Sequence, residues 1–257
     1  MDELKAAEAA ARKAGNLVLR RFGSRLTVRH KGRVDLVTDA DVKAERMICA
    51  ALEKKFPQHG FILEEGHAKN PQDGRVWVID PIDGTTNFSH ANPFFCISIG
   101  LYKGGEALLG VVYDPIRGEM FSAQKSGGAT LNGRRIGVSS HAKLIDCLVG
   151  ADFPYERGKK SRITMRQYSA ILTRSQGMRT SGAAALELCH IACGRIDAFF
   201  HHSLKPYDTA AASIIVREAG GKTTDFAGKP YDIFKGHIVA SNGRVHSELL
   251  RALGAKA

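Results

Sequence analysis

The apolar run Trp77-Val78-Ile79 leads directly into Asp80-Pro81-Ile82-Asp83-Gly84-Thr85-Thr86-Asn87-Phe88. Aromatic and β-branched residues that end in acids, Pro and Gly describe a buried strand that stops, turns and opens a helix. Two carboxylates this close repel, and each raises the other's pKa unless a cation lies between them. Carboxylate and backbone carbonyl oxygens are the ligands Mg²⁺ prefers. Gly84-Thr85-Thr86, at a helix start, would set backbone N–H groups and a positive helix end beside that cation, which is a seat for phosphate. Asp, Asn, Thr and Gly also build ordinary turns and caps, so the surroundings decide. Glu64-Glu65-Gly66 ends the short run Phe61-Ile62-Leu63, and Asp39 and Asp41 follow another extended segment. Acids gathered at the ends of several separate elements favour one polynuclear metal site over a set of independent caps.

The 257 residues suffice for one large domain or two closely packed halves. With 44% apolar and 25% charged residues, a disordered, collagenous or coiled-coil chain is excluded. The longest apolar runs, such as Phe94 to Leu101, fall far short of the roughly 18 to 20 residues that span a bilayer. The acidic, Ala-rich start lacks the order of regions expected of a signal peptide, and a cytoplasmic location is expected. Cys49, Cys96, Cys147, Cys189 and Cys193 are odd in number with no C-x-x-C pair, and read as reduced, mostly buried thiols. Lys plus Arg at 37 against Asp plus Glu at 26 gives +11, a surface that attracts nucleic acid and phosphorylated metabolites alike. Charge does not choose between them.

Along the chain, Leu4, Ala7, Ala11, Ala14, Leu17, Val18 and Phe22 predict an amphipathic helix ended by Gly23. Leu26 to His30 alternates like a strand, and a turn is expected at Lys31-Gly32-Arg33. A second helix is expected after Thr38 or Asp39 as cap, stopped by Pro57. Phe61 to Leu63 and Val76 to Ile79 read as buried strands. Phe94 to Ser140 is a meander with Asn132-Gly133 as its strongest hairpin signal. Beyond about residue 145 strands and helices alternate: helices near Ala183 to Ala192 and Thr209 to Ala219, strands near Ala198 to His201, 222 to 225 and 237 to 240. The expected fold is thus an antiparallel sheet in an α+β half over 1–145, then a mixed α/β half over 146–257, in one compact unit. The basic stretch Arg157 to Arg162 reads as an exposed connection between the halves.

Val34-Asp35-Leu36-Val37-Thr38-Asp39-Ala40-Asp41, Phe61 to Glu65, Trp77 to Phe88, Lys205-Pro206-Tyr207-Asp208-Thr209-Ala210-Ala211-Ala212 and Glu218-Ala219-Gly220-Gly221 together resemble the inositol monophosphatase family, in its order and spacing. Thr86 and Asn87 stand where the branch acting on phosphoadenosine phosphates usually carries Lys and Glu. The resemblance implies a layered αβαβα sandwich and a Mg²⁺-dependent, lithium-sensitive phosphomonoesterase acting as a homodimer on a small phosphorylated metabolite. It implies two or three metals per site. Glu64, Asp80 and the Ile82 carbonyl would hold the first, Asp80, Asp83 and Asp208 the second, and a weaker third would share Glu64. Water would be deprotonated with help from Thr85 and its partners Asp41 and Glu64 and attack phosphorus in line. The backbone at Gly84 and Thr85 would cradle the phosphate.

Substrate contacts implied by the same resemblance are Asp83, Gly84, Thr85, Gly182, Ala183, Ala184, His201 and Asp208. Three positions depart from the inositol pattern, the mildest being Tyr207, where a Trp is usual before the metal-binding Asp. His201 stands where many relatives carry a Glu that accepts ring hydroxyls, and an imidazole accepts only one proton and can be cationic. Ala183 replaces a common Thr. Inositol 1-phosphate is the first substrate implied; fructose 1,6-bisphosphate and histidinol phosphate remain open, and outside catalysis a basic RNA- or protein-binding module. Nothing in the charge pattern specifies a nucleic-acid site, and no membrane contact is expected. Cys189, His190 and Cys193 at helical spacing read as a packed helix face, because no second cluster offers the remaining metal ligands. The basic residues from Arg157 to Arg179 read as a solvated surface, with attraction of an anionic substrate as the alternative.

Overall fold

The computed structural model describes residues 2–24, 27–30, 36–66, 68–155 and 158–254. Leu26, the expected turn at 31–33, the motif residues Val34 and Asp35, and Arg157 lie outside them.

Helix α1 (Asp2–Arg21) buries Ala6, Ala7, Ala10, Ala11, Ala14 and Val18 as one stripe and ends before Gly23, at φ +70°. Strands β1 (Val28–His30) and β2 (Leu36–Thr38) pair antiparallel. Helix α2 (Asp39–Lys55) follows at once, capped by the Thr38 hydroxyl, which accepts the Ala40 N–H at 3.2 Å. Asp41 accepts the Thr38 N–H at 2.8 Å, which completes a capping box.

Seven strands then form a sheet in chain order: β3 (Gly60–Leu63), β4 (Arg75–Asp83), β5 (Cys96–Lys103), β6 (Glu106–Asp114), β7 (Glu119–Gln124), β8 (Gly128–Leu131) and β9 (Arg134–Arg135). The sheet is antiparallel as expected, except that β3 runs parallel to β4. Asn132 and Gly133, both at positive φ, make the β8–β9 turn. A short helix α3 (Thr85–Ser89) separates β4 from β5.

The remaining elements are β10 (Leu148–Ala151), α4 (Lys159–Leu172), β11 (Gly177–Arg179), α5 (Ala184–Ala192), β12 (Ala198–His201), α6 (Pro206–Glu218), β13 (Lys222–Thr224), β14 (Ile238–Ser241) and α7 (His246–Ala252). Their sheet has the order β11-β10-β12-β14-β13, with β10 parallel to both neighbours. Here one expectation fails: the basic stretch is no connection, because α4 begins at Lys159, within this half. Its inward side carries Thr164 and Ile171, both buried and each about one turn from Tyr168, and the cationic side chains of Arg162 and Arg166 lie outside.

Helices α1 and α2 cover one face of the seven-stranded sheet, α5 and α6 cover the other, and α5 and α6 also meet the five-stranded sheet, whose far face carries α4 and α7. These are the five layers of an αβαβα sandwich. Strand β4 is buried on both faces: Trp77 and Ile79 join the core under α1 and α2, and Val78 faces Ala210 and Ile214 of α6. Each such fully buried Ile contributes roughly 1.5–3 kcal/mol. Gly100 and Gly110 sit opposite each other on β5 and β6 and form the groove for α6. A Cβ on Gly110 would lie 2.2 Å from the Ala211 carbonyl. That close approach sets the start of α6, and with it Asp208, against the end of β4. Among the described residues no helix is long and apolar enough to cross a membrane.

Candidate active site

Strand residues three apart normally point to opposite faces. Between β4 and β5 the register shifts, with Asp80 opposite Ser98 and Asp83 opposite Cys96, so Pro81-Ile82 adds one residue to β4. This bulge brings both carboxylates to the same side at the strand end. Asp80 is 2% exposed and accepts the Ile82 N–H at 3.0 Å. Asp83 is 7% exposed and accepts the Ala185 N–H at 2.7 Å, so it caps α5 from another element, with the Cys96 thiol 3.6 Å away. Asp208, in the first turn of α6, accepts the Lys205 N–H at 2.7 Å. Glu64 follows β3 directly, where Glu45 of α2 accepts the Glu65 N–H at 2.9 Å and anchors the loop.

Glu64, Asp80, Asp83 and Asp208 all line one cavity of about 450 Å³. Burial first, then the charges of Glu64 and Asp83, pushes the Asp80 and Asp208 carboxyls well above the ordinary value. Burial carries Asp83 to about 7, against the Ala185 N–H and Cys96, which pull it down. Asp80 and Glu64 are near enough to hydrogen-bond, which two carboxylates do only by sharing a proton. A cation in that place satisfies the same lone pairs without protonation, so the donor set fits a hard, oxygen-seeking metal. Among the described residues no three acidic, His or Cys side chains are already drawn onto a single point; the carboxylates ring the cavity instead.

Gly84 takes φ +95°, and a Cβ there would sit 3.1–3.2 Å from Ala183 Cβ, the Phe94 carbonyl and the Gly182 carbonyl. Only glycine fits this turn between β4 and α3. Thr85 Oγ1 lies 3.1 Å from Asp41 Oδ1 and 3.0 Å from the Ile82 carbonyl. Asp41 sits behind Thr85, fully buried, with its other oxygen held by the backbone and hydroxyl of Thr38. Burial, aided by the charge of Glu64, raises it to about 6. A carboxylate poised there accepts a proton near neutral pH, and Thr85 is its connection to the cavity.

Of the residues singled out from sequence, Glu64, Asp80, Ile82, Asp83, Gly84, Thr85, Gly182, Ala184, His201 and Asp208 all line the cavity. Ala183 does not; it is buried in the core against Gly84. Asp39 turns away, paired with Lys43 at 2.8 Å and Arg21 at 3.0 Å, and these partners hold it at about 2. His201 lies in the wall as a neutral imidazole. Burial, then His202 and His237, draws it down to about 4; its Nδ1 accepts the Ser203 N–H at 3.0 Å, and the ring also bonds the Phe153 backbone. With Nδ1 accepting, the neutral ring carries its proton on Nε2, so His201 has no lone pair left to accept a substrate hydroxyl. Cys189 is buried and His190 packs edge-on to Phe94 at 5.6 Å, a helix face as expected, and all five thiols are free.

Several lining residues went unnoticed in the sequence, Asp152, Phe153 and Tyr155 after β10 and Ser203 before α6, and two motif residues that had been given no place in the site, Asn87 on α3 and Lys205 before α6, also line it. Asp152 carries the same signature as Asp80, an acid ending an apolar strand. Asn87 ties the two halves, with its amide donating at 2.7 Å to both the Phe94 and Ser181 carbonyls.

The family model described as the inositol monophosphatase family matches residues 1–256. An inositol-1-monophosphatase of Synechocystis is 41% identical over 257 positions, covering 98% of this chain and 88% of that protein. A Nus factor SuhB of Pseudomonas aeruginosa is 39% identical over 251 positions, covering 95% of this chain and 93% of its own. The crystal structure of the extragenic suppressor protein suhB of Bartonella henselae superposes with a TM-score of 0.96 at 38% identity over the full length of both chains. A ring of carboxylates at the ends of β3, β4 and α6, the bulge that aligns two of them, and likeness over essentially the whole chain lead to one assignment: the protein belongs to the inositol monophosphatase family, whose members are phosphoric monoester hydrolases.

Proposed function

We propose that the chain is a Mg²⁺-dependent phosphatase of small phosphorylated polyols or sugars, with inositol 1-phosphate the first substrate to test. The observation that supports it most is the convergence of Glu64, Asp80, Asp83 and Asp208 on one cavity beside the Gly84-Thr85 turn. Glu64, Asp80 and the Ile82 carbonyl would hold one metal, and Asp80, Asp83 and Asp208 another; with the single Thr85 hydroxyl proton directed to Asp41 Oδ1, the lone pairs of Ile82 O are open to the metal. Bound there, Mg²⁺ would acidify water and neutralise charge on the transferring phosphoryl group. The backbone N–H groups of Gly84 and Thr85 would cradle the phosphate. Thr85 Oγ1 takes a proton from the attacking water while passing its own to Asp41 Oδ1, 3.1 Å away. Thr38 holds Asp41 in line for that transfer.

Phosphate release from inositol 1-phosphate, fructose 1,6-bisphosphate, histidinol phosphate, glycerol 2-phosphate and AMP, with Mg²⁺ and with chelator, tests the reading. Release only with Mg²⁺, inhibited by Li⁺, is expected; release unaffected by chelator would overturn it. A second reading rests on the +11 charge and on relatives named Nus factor SuhB: an RNA-associated role on the same scaffold. RNA retention that vanishes at modest salt with no sequence preference would dispose of it.

A further inference from the structure

Asp152 is a fifth carboxylate in the cavity wall, and it stands apart from the other four. They come from the ends of β3, β4 and the start of α6; Asp152 follows β10, in the other sheet. Strands β10 and β12 run parallel with Ala151 beside Phe200. The next pair, at the open strand ends, is Asp152 and His201. His201 spends its one lone pair on the Ser203 N–H, so the acceptor on this wall is its neighbour. The Asp152 oxygens take the Gly182 N–H at 3.1 and 3.2 Å, and the Ser181 N–H adds a second donor. A carboxylate offers about four lone-pair sites, so capacity remains on the cavity side.

Behind Asp152 lies Glu187 of α5, 1% exposed, with neither oxygen meeting a donor in hydrogen-bonding geometry. Its nearest polar neighbours are the Asp152 carboxylate and Ser181. Two carboxylates in contact away from water keep one proton between them. Burial raises both carboxyls, Glu187 further; Glu187, the more deeply buried, holds that proton and donates it to Asp152, whose oxygens are thereby fixed in direction. Gly150 leaves room for this arrangement under β10: a Cβ there would lie 2.8 Å from Glu187 Oε1. Phe153 and Tyr155, on the same segment, add apolar faces to the wall. A carboxylate edge beside aromatic faces matches a molecule with hydroxyls on its rim and C–H groups on its faces.

We propose that Asp152 is the specificity-determining residue for polyol phosphates, accepting a substrate hydroxyl, and that Glu187 is its positioning residue. This rests on the phosphatase reading above.

The test compares the full-length wild type with Asp152→Asn and Glu187→Gln, in Mg²⁺, on inositol 1-phosphate and on p-nitrophenyl phosphate, which has no hydroxyls to recognise. Asn keeps an oxygen for the Gly182 N–H and loses the charge. A hydrogen bond to a charged acceptor corresponds to roughly 10- to 100-fold in kcat/KM, expected as a rise in KM for inositol 1-phosphate. The value for p-nitrophenyl phosphate should change by less than about threefold. Glu187→Gln, whose amide donates to Asp152 without needing a shared proton, should stay near wild type on both substrates. Equal losses on both substrates, or no loss on inositol 1-phosphate, would overturn the role of Asp152. A Glu187→Gln variant as poor as Asp152→Asn would overturn that of Glu187. Wild type active on p-nitrophenyl phosphate and on no polyol phosphate would refute the polyol assignment and leave the phosphatase reading intact; release from neither would end both.

Discussion

Replacing Asp83 by Asn separates what this residue does for the reaction from what it costs the fold. In the metal-free protein, burial lifts the carboxyl from its ordinary 3.8 to about 7. Its folded pKa therefore exceeds its unfolded one, and the folded state binds the extra proton between about pH 4 and pH 7. Stability contributed in this way is whole at the acidic end of that window and gone once the pH has climbed through about 7. For Asp83 alone the displacement corresponds to about 4 kcal/mol. Asn escapes the cost because it never ionises, and it keeps an oxygen for the Ala185 N–H at 2.7 Å, though without the charge that strengthens that bond by about 1–2 kcal/mol. In chelator at pH 8 the variant should be more stable than wild type by about 2–3 kcal/mol, roughly 4–12 °C in Tm for a chain of this size. At pH 4, the acidic end of that window, the two should nearly coincide. Mg²⁺ should reverse the order by binding the wild type and not the variant, and turnover by the variant should be lost. Thermal unfolding followed by circular dichroism at both pH values, with chelator and then with Mg²⁺, reads all of this. A variant less stable than wild type at pH 8 in chelator, or stabilised by Mg²⁺ as strongly as wild type, would refute the account of Asp83 as a strained ligand.

Thr85→Ala removes the hydroxyl between the cavity and Asp41 and should lower kcat by roughly 10²–10⁴-fold with KM little changed, while Thr85→Ser restores most of it; steady-state kinetics would show it, and a change confined to KM would argue against proton transfer through this residue. Gly110→Ala puts a methyl 2.2 Å from the Ala211 carbonyl and should cost about 3 kcal/mol or more in denaturant unfolding, with lost activity because α6 carries Asp208. A stable, fully active variant would show that α6 has room to move. Thr38→Ala deletes the α2 cap and should cost about 1 kcal/mol, and it should also lower kcat, since Asp41 then loses one of its two holders from Thr38. Lost stability with unchanged kcat would confine Thr38 to capping.

Where one residue type serves one local purpose, the sequence was a sound guide. Thr38 before an acidic helix start, Gly23 after an apolar stripe and Asn132-Gly133 between short strands are local devices, and each is found in place. The acids at strand ends were equally visible, but their partners were not. Asp39 and Asp41 look alike along the chain; Arg21, from α1, and Lys43 draw one outwards, while Thr85, more than forty residues on, faces the other. Helix α4 escaped notice because its burial depends on single residues per turn, Thr164 and Ile171 among them, within a segment whose cationic residues suggest solvent.

The contrast is sharpest at residue 201. Taken alone, a His in place of an acid suggests that the cavity has lost an acceptor. The strand register places Asp152 beside it, nearly fifty residues earlier in the chain, and the Ser203 N–H takes the one lone pair of the His201 ring. The wall therefore keeps a carboxylate, carried by the adjacent strand, with a buried acid behind it that no surface residue could replace without exposing the charge to water. A substitution in one parallel strand is thus interpretable only together with the residue beside it in the sheet. The spacing between β10 and β12 is set by a helix, a strand and a second helix, not by any local motif. Specificity in this cavity is a property of the pair of strand ends, and a change at either one should be read through the hydrogen bonds of the other.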